Sequence, residues 1–227
     1  METINPVHLS TVTGRGTPVR RKHVTGHALS DEAPVVEIDG LRVTSAAWTW
    51  TDLAAHITAL PRLVAAGDSL LQRPDGPTAK RSRLSHPLVT VEELWSVTAR
   101  RKNVKGIRSA RAALELVRAR VDSPKETETR LMVLAAGFPE PALNPRVVLA
   151  DGSTIHPDLA WLRLKICIQY EGGHHWRDQA QFDADIERDR RLRAEGWIVL
   201  RVSRSIFREG REAFLDDLQA AFAQRGC

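Results

Sequence analysis

Asp158, Gln169 and Glu171 are the residues whose types and spacing best suit chemistry. They fall in His156-Pro157-Asp158-Leu159-Ala160-Trp161 and in Ile166-Cys167-Ile168-Gln169-Tyr170-Glu171, which read as two short strands, one with an acid at its exit. The second runs into Gly172-Gly173-His174-His175. Side chains two apart on a strand point to the same face. Gln169 and Glu171 therefore sit side by side, facing what Asp158 faces, and make an oxygen-rich pocket suited to a hard divalent cation. His174 and His175 follow just beyond the strand end, where an imidazole can move protons near neutral pH. Each residue also has a plainer reading. Asp158 can be a strand-end acid, Glu171 a turn acid before Gly-Gly, Gln169 a satisfied structural amide, and the histidines ordinary surface side chains.

The segments around these residues must supply a sheet and helices to hold it. Ser123-Pro124-Lys125-Glu126 offers an N-cap, an N1 proline and an N3 acid. Leu131, Leu134, Ala135 and Phe138 then mark an apolar helix face, which Gly137 ends. Residues 146–149 and 153–155 flank the turn Ala150-Asp151-Gly152, and a third strand runs over about 164–171. A polar helix over about 180–194 follows, with Phe182, Ile186 and Leu192 directed inward. Residues 197–202 form a continuous apolar run, as a buried central strand does. Phe214, Leu215, Leu218, Ala221 and Phe222 make one stripe of a last helix. From Ser123 onward the order is helix, three strands, helix, strand, helix. Asp185 and Arg188 stand one turn apart, as an ion pair or as a brace that touches phosphate. Arg201 lies in an apolar strand and needs a partner if buried, which Asp185 or Glu171 would supply.

Upstream the signals are weaker. Residues 1–30 read as a loosely packed basic arm, rich in Gly, Thr, Pro and cations. Asp39-Gly40 between two β-prone runs marks a hairpin. Leu53, Ile57 and Leu60 suggest a helix capped by Thr51 or Asp52, and residues 72–87 read as a loop. Thr90 with Glu93 is a capping-box pattern. Arg100, Arg101, Lys102 and Lys105 form the densest basic run, either a solvated helix end or a patch that contacts phosphate.

The 227 residues carry a formal net charge of +5, with 42% hydrophobic and 27% charged residues. That balance permits a real core in one domain or two small ones. Two cysteines provide no disulfide framework, and no window approaches the ~18 apolar residues of a membrane helix. The chain reads as cytoplasmic, without a membrane partner; a homodimer is compatible with it.

The αβββαβ order, with an acid after Pro157 and another on the next strand, resembles the PD-(D/E)XK nuclease core. More closely, several motifs look like the actinobacterial endonuclease-related domains allied to the very-short-patch-repair (Vsr-like) endonucleases. They are Ser123-Pro124-x-Glu126, Pro157-Asp158-Leu159-Ala160-Trp161, Gln169-Tyr170-Glu171-Gly172-x-His174-His175, Asp185-x-x-Arg188 and Gly196-Trp197-x-x-x-Arg201. The likeness covers roughly residues 120–205. Residues 35–120 look, more faintly, like the part that follows the winged helix in AbiEi-type antitoxin proteins.

The resemblance implies an α/β (α+β) fold: a restriction-endonuclease-like core with a mixed four-stranded sheet flanked by helices, over residues 121–227. A smaller α+β region over 31–120 and the arm over 1–30 precede it. It implies a metal-dependent DNA endonuclease or nickase using Mg²⁺ or Mn²⁺, with Asp158, Glu171 and Gln169 as ligands. Glu126 would stand at the helix acid's position, with Asp185, Arg188 and Arg201 around the site. It also implies an alternative, a catalytically degenerate nuclease-fold DNA binder or antitoxin-like regulator. The general motif has an acid where this chain has Gln169, and a lysine where it has Glu171. Gln169 can ligate only through a neutral amide oxygen, and His174 or His175 must do the work of the missing lysine.

Overall fold

The computed structural model describes residues 6–71, 88–171 and 179–227, with backbone alone at 179–182. The expected loop over 72–87 lies outside them. β1 (Val7–Val12) and β2 (Val24–Leu29) pair in parallel, Val7 beside Val24 and Val12 beside Leu29. The sequence suggested only a loose arm here. Parallel partners are joined by a crossover rather than a tight turn, so they leave no hairpin signal to read. β3 (Val35–Ile38) and β4 (Leu41–Thr44) form the expected antiparallel hairpin. Asp39 and Gly40 both take positive φ, 51° and 76°, as a two-residue type I′ turn requires.

α1 (Ala46–Leu53), α2 (Leu60–Leu70), α3 (Val91–Arg100) and α4 (Ile107–Leu114) share one core. Ser45, rather than Thr51 or Asp52, caps α1 by accepting from the Trp48 N–H. The helix thus starts earlier than the Leu-Ile-Leu spacing suggested. Trp48 and Trp50 turn inward and Leu53 is left exposed. The Trp50 indole N–H donates to the Leu63 carbonyl at 3.0 Å, which satisfies the polar end of a large buried ring. At α3 both halves of the capping box form: Glu93 N–H donates to Thr90 Oγ1 and Thr90 N–H to Glu93 Oε2.

α5 (Pro124–Ala135) starts where cap, proline and acid predicted, with Ser123 Oγ accepting from the Glu126 N–H at 3.2 Å. Then come β5 (Ala142–Leu143), β6 (Val147–Val148), β7 (Thr154–Ile155), β8 (Leu159–Trp161), β9 (Ile166–Glu171), α6 (Gln179–Ala194), β10 (Ile198–Ser203) and α7 (Arg211–Gln224). One mixed sheet has the order β10-β9-β8-β5, with β9 and β10 parallel and the other neighbours antiparallel. The α+β class with a mixed four-stranded sheet is therefore what the chain adopts. Two of its strands differ from expectation. β6 and β7, the runs beside Ala150-Asp151-Gly152, pair only with each other. β8, within the stretch 156–161 read as a strand, and β5 complete the sheet; a strand of two residues, such as β5, carries too little periodicity to be read. Asp158 consequently stands at the start of β8, not at the exit of a strand.

Alternate residues of this sheet serve two cores. Leu159, Ile168 and Val202 pack with Val133 of α5 and with Phe214 and Leu218 of α7. Ala160, Cys167 and Val199 pack with Leu192 of α6, with Trp197 and with the β6–β7 ribbon. Burial pushes the Cys167 thiol up to about 12, so it is no nucleophile. Ile186, expected inward, is exposed; α6 buries Asp185, Asp189 and Leu192 instead. Those positions follow the i, i+4, i+7 stripe of a helix face, acidic at one end and apolar at the other. Phe182 lies outside the described side chains.

α2 packs on α5 and joins the two halves. Asp68 accepts from Arg118 N–H and from Thr127 Oγ1, both at 2.7 Å, and lies 3.6 Å from Arg130 Nη2. Arg130, wholly buried, donates to Glu140 Oε1 at 3.0 Å and to the Leu116 carbonyl at 2.5 Å. Burial raises the Asp68 carboxyl above the usual carboxylate range, although these donors and cations pull it down.

Candidate functional site

The sheet face that is apolar at Ala160, Cys167 and Val199 turns polar one residue pair further on. Arg201 stands beside Gln169 and Ser203 beside Glu171. Leu159 stands beside Ile168, so the next pair outward is Asp158 with Gln169. Paired residues share a face, their Cβ atoms roughly 4.5–5.5 Å apart, and diagonal neighbours lie about 7–8 Å away. Asp158, Gln169, Glu171 and Arg201 therefore meet on one face. The acidic end of α6 covers it, because Asp185 and Asp189 reach the same ground.

Asp158 Oδ2 accepts from the Tyr170 N–H at 2.6 Å. Burial pushes this carboxyl up to about 6; the Tyr170 N–H and the Arg188 guanidinium draw it back, while Asp122 and Asp185 raise it. Glu126, in the first turn of α5, is 7% exposed. Its Oε2 accepts from Asp122 N–H at 3.0 Å and from Asn144 Nδ2 at 2.8 Å. Burial, and then the negative charge of Asp158, push Glu126 up to about 7. The two acids are thus neighbours. Asn144 ties them together. Its backbone N–H donates to the Asp158 carbonyl and its Nδ2 to the Arg120 carbonyl, both at 2.9 Å. It holds φ at 42°, a left-handed conformation that asparagine tolerates better than most residues.

Gln169 is 2% exposed, and among the described residues neither its Nε2 nor its Oε1 has a hydrogen-bond partner. Nothing among the described residues satisfies it as a structural amide. Leaving such a group unpaired costs about 1–3 kcal/mol. Its strand position puts this amide on the face that Asp158 and Glu171 share. Hard oxygens of this kind are what Mg²⁺ and Mn²⁺ take, so the donor chemistry fits. Among the described residues no three His, Cys, Asp or Glu side chains converge as a metal-holding group. The Gln169 oxygen and water would therefore have to complete any coordination shell begun by the two carboxylates.

Arg201 braces this face. Its Nη1 pairs with Glu171, its Nε donates to Asp189 Oδ2 at 2.7 Å, and its Nη2 reaches the Asp185 carbonyl at 3.4 Å. Of the two partners the sequence offered, Glu171 is one. Asp185 contributes only its carbonyl, because its carboxylate faces Arg188 at 3.3 Å. Asp189 and Asn144 are the residues that sequence reasoning missed. Asp189 was discoverable, since it lies four residues after Asp185 and so on the same helix face. Asn144 carries no motif around it.

The basic run divides in two. Arg101 turns inward, its Cζ 4.1 Å over the Trp48 ring, 2.6 Å from Asp52, and hydrogen-bonded to Thr51 and the Trp48 carbonyl. Arg100, Lys102 and Lys105 remain exposed and line a cleft. His174 and His175 lie outside the described residues. Among the described residues no helix is long and apolar enough to cross a membrane.

No family model and no solved structure matches the chain. It is similar to two uncharacterized proteins from strains of Mycobacterium tuberculosis, each 26% identical over 168 residues, or 74% of this chain. The chain spans 57% of the length of those relatives.

Proposed function

We propose that residues 121–227 form a restriction-endonuclease-like domain that hydrolyses phosphodiester bonds of DNA as a metal-dependent endonuclease or nickase. The observation that carries this reading is the meeting of Asp158, Glu171 and the unpartnered Gln169 at one end of a mixed sheet, with Glu126 beside Asp158. Asp158, Glu171 and Gln169 would hold Mg²⁺ or Mn²⁺, which supplies charge neutralisation at the phosphate and an activated water. Arg201 and Asp189 fix the direction of Glu171. Asn144 and Glu126 fix the turn that presents Asp158. Arg188, paired with Asp185 and close enough to act on the Asp158 carboxyl, would meet an incoming phosphate. His174 or His175 would exchange protons with the attacking water or the leaving oxygen. Arg100, Lys102 and Lys105 would hold flanking DNA.

The test is nicking of supercoiled plasmid DNA by pure protein with Mg²⁺ or Mn²⁺. Cleavage should vanish with a chelator and fall at least 10³-fold in Asp158→Ala. No cleavage of plasmid, linear or single-stranded DNA with either ion, together with no ion binding by calorimetry, would reject the proposal.

A second reading draws on the Arg201 pairing, which occupies Glu171 with a cation of the protein itself. A nuclease-fold DNA binder or antitoxin-like regulator would keep that pair for structure alone. It would bind DNA in a salt-sensitive way that survives Asp158→Ala and Glu171→Ala.

A further inference from the structure

A cleft of about 1100 Å³ opens in the N-terminal half, between β1–β2, the β3–β4 hairpin, α1 and the turn from α3 to α4. Its size matches the upper end of small-ligand pockets, but its lining does not. Five Lys and Arg side chains border it against two carboxylates, Glu32 and Asp52. Asp52 is already neutralised by Arg101. That contact, with Arg101 stacked on Trp48, pins the α3–α4 turn to α1. Gly106 finishes the turn at φ 83°, so close that a Cβ would meet the Ala54 backbone at 2.4 Å. The turn therefore presents Arg100, Lys102 and Lys105 on a fixed backbone, exposed, with Arg42 facing them from the hairpin.

The same cleft carries an aromatic platform. His8 and His27 lie edge to edge and nearly coplanar, with centroids 5.0 Å apart, planes 11° off parallel, and Nδ1 of His8 2.8 Å from Nε2 of His27. Their hydrogen bond locks both rings. A hydrogen-bonded imidazole pair beside a row of exposed cations is a combination that can grip a single nucleic-acid strand. Cations follow its phosphates, and planar side chains take the faces of unstacked bases. A duplex offers phosphates but no free base faces.

We propose that this cleft binds single-stranded DNA, with phosphates on Arg42, Arg100, Lys102 and Lys105 and a base stacked on the His8–His27 pair. Strand binding does not rest on hydrolysis at the carboxylate site; only the choice of DNA over RNA rests on that proposed function. Fluorescence anisotropy with a labelled oligothymidine, in chelator and with the Asp158→Ala chain, separates the two. Expected is salt-dependent binding, weakened at least tenfold by the triple variant Arg100→Ala/Lys102→Ala/Lys105→Ala. The log–log salt slope should flatten by about 0.7 for each phosphate that is no longer neutralised. His8→Ala should weaken binding several-fold at high salt, where the pull of the cations on phosphate fades, and His8→Phe should restore it. Removing three exposed arginines outside the cleft, Arg163, Arg208 and Arg211, should change affinity less than twofold. An equal loss from that control, no loss from the cleft variants, tighter binding of the matching duplex, or tighter binding of the matching RNA would each overturn the proposal. Plasmid cleavage is scored separately, so its failure leaves this outcome readable.

Discussion

Two buried polar clusters of this molecule are built on opposite terms. At the seam between α2 and α5, Asp68 has a backbone N–H, a hydroxyl and a guanidinium around it. On the polar face of the main sheet, among the described residues, Asp158 accepts from one amide N–H, Gln169 has no hydrogen-bond partner, and one oxygen of Asp189 is likewise unpaired. Buried polar groups are normally satisfied, and at the seam the Asp68 carboxylate obeys that rule, with Arg130 Nε the one seam atom left unpaired among the described residues. A face left short of partners keeps bonding capacity for something that arrives. The difference separates a polar cluster that is structure from one that is a site, and it can be tested by removing groups from each.

The largest effect belongs to the seam. Arg130→Met should lower stability by on the order of 3–5 kcal/mol, because it leaves the Asp68 charge buried without its cation. Asp68→Leu combined with Arg130→Met should recover much of that loss, since neither charge then remains stranded. Urea denaturation reads both. A double variant no better than the single one would mean that the seam depends on its ions for shape, not for mutual neutralisation.

Next comes Asp158, where the sign reverses. Its carboxyl sits near 6 in the fold against 3.8 when unperturbed. A folded-state value above the unfolded one means that the folded chain binds the proton more tightly. That contribution is full below about pH 4 and is lost as pH rises through about 6. Asn at this position keeps an acceptor for the Tyr170 N–H and never ionises. Asp158→Asn should therefore melt above wild type at about pH 8 in chelator, by on the order of 2 kcal/mol after solvent screening. The gap should close by about pH 4, and added Mg²⁺ should close it from the other side by stabilising wild type alone. A gap independent of pH would assign the effect to packing.

The fold was legible where a residue type has a local reason to be where it is. Ser123-Pro124 with Glu126, Thr90 with Glu93 and Asp39-Gly40 each sit where cap or turn chemistry put them. So does the alternation that turns Gln169 and Glu171 to one face. What escaped was set by distant partners. β1 and β2 find each other without a hairpin, β5 is too short to show a period, and the ribbon beside Ala150-Asp151-Gly152 pairs with itself and leaves the sheet. In α6 the apolar pattern misled, because the helix buries acids where the sheet face is polar. Ile186 is apolar yet exposed, and Asp189 is charged yet buried, where Arg201 across the interface pairs with it. The site was thus visible as a set of oxygens, but not as a set of constraints.

The smallest effect is the sharpest test of that contrast. Gln169→Met removes an unpaired amide and keeps most of its volume. In a cluster built for structure, such a change costs stability by breaking bonds. Here there are none to break among the described residues, and the amide's desolvation is relieved. Gln169→Met should raise stability by about 1–2 kcal/mol, seen as a higher urea midpoint with an unchanged slope. The same variant should weaken Mg²⁺ or Mn²⁺ binding in calorimetry several-fold, because one oxygen donor is gone. Higher stability with weaker ion binding marks Gln169 as a group held in reserve for a ligand. A loss of stability would mean that the amide is satisfied in solution, and the contrast between seam and site would fail at its most exposed point.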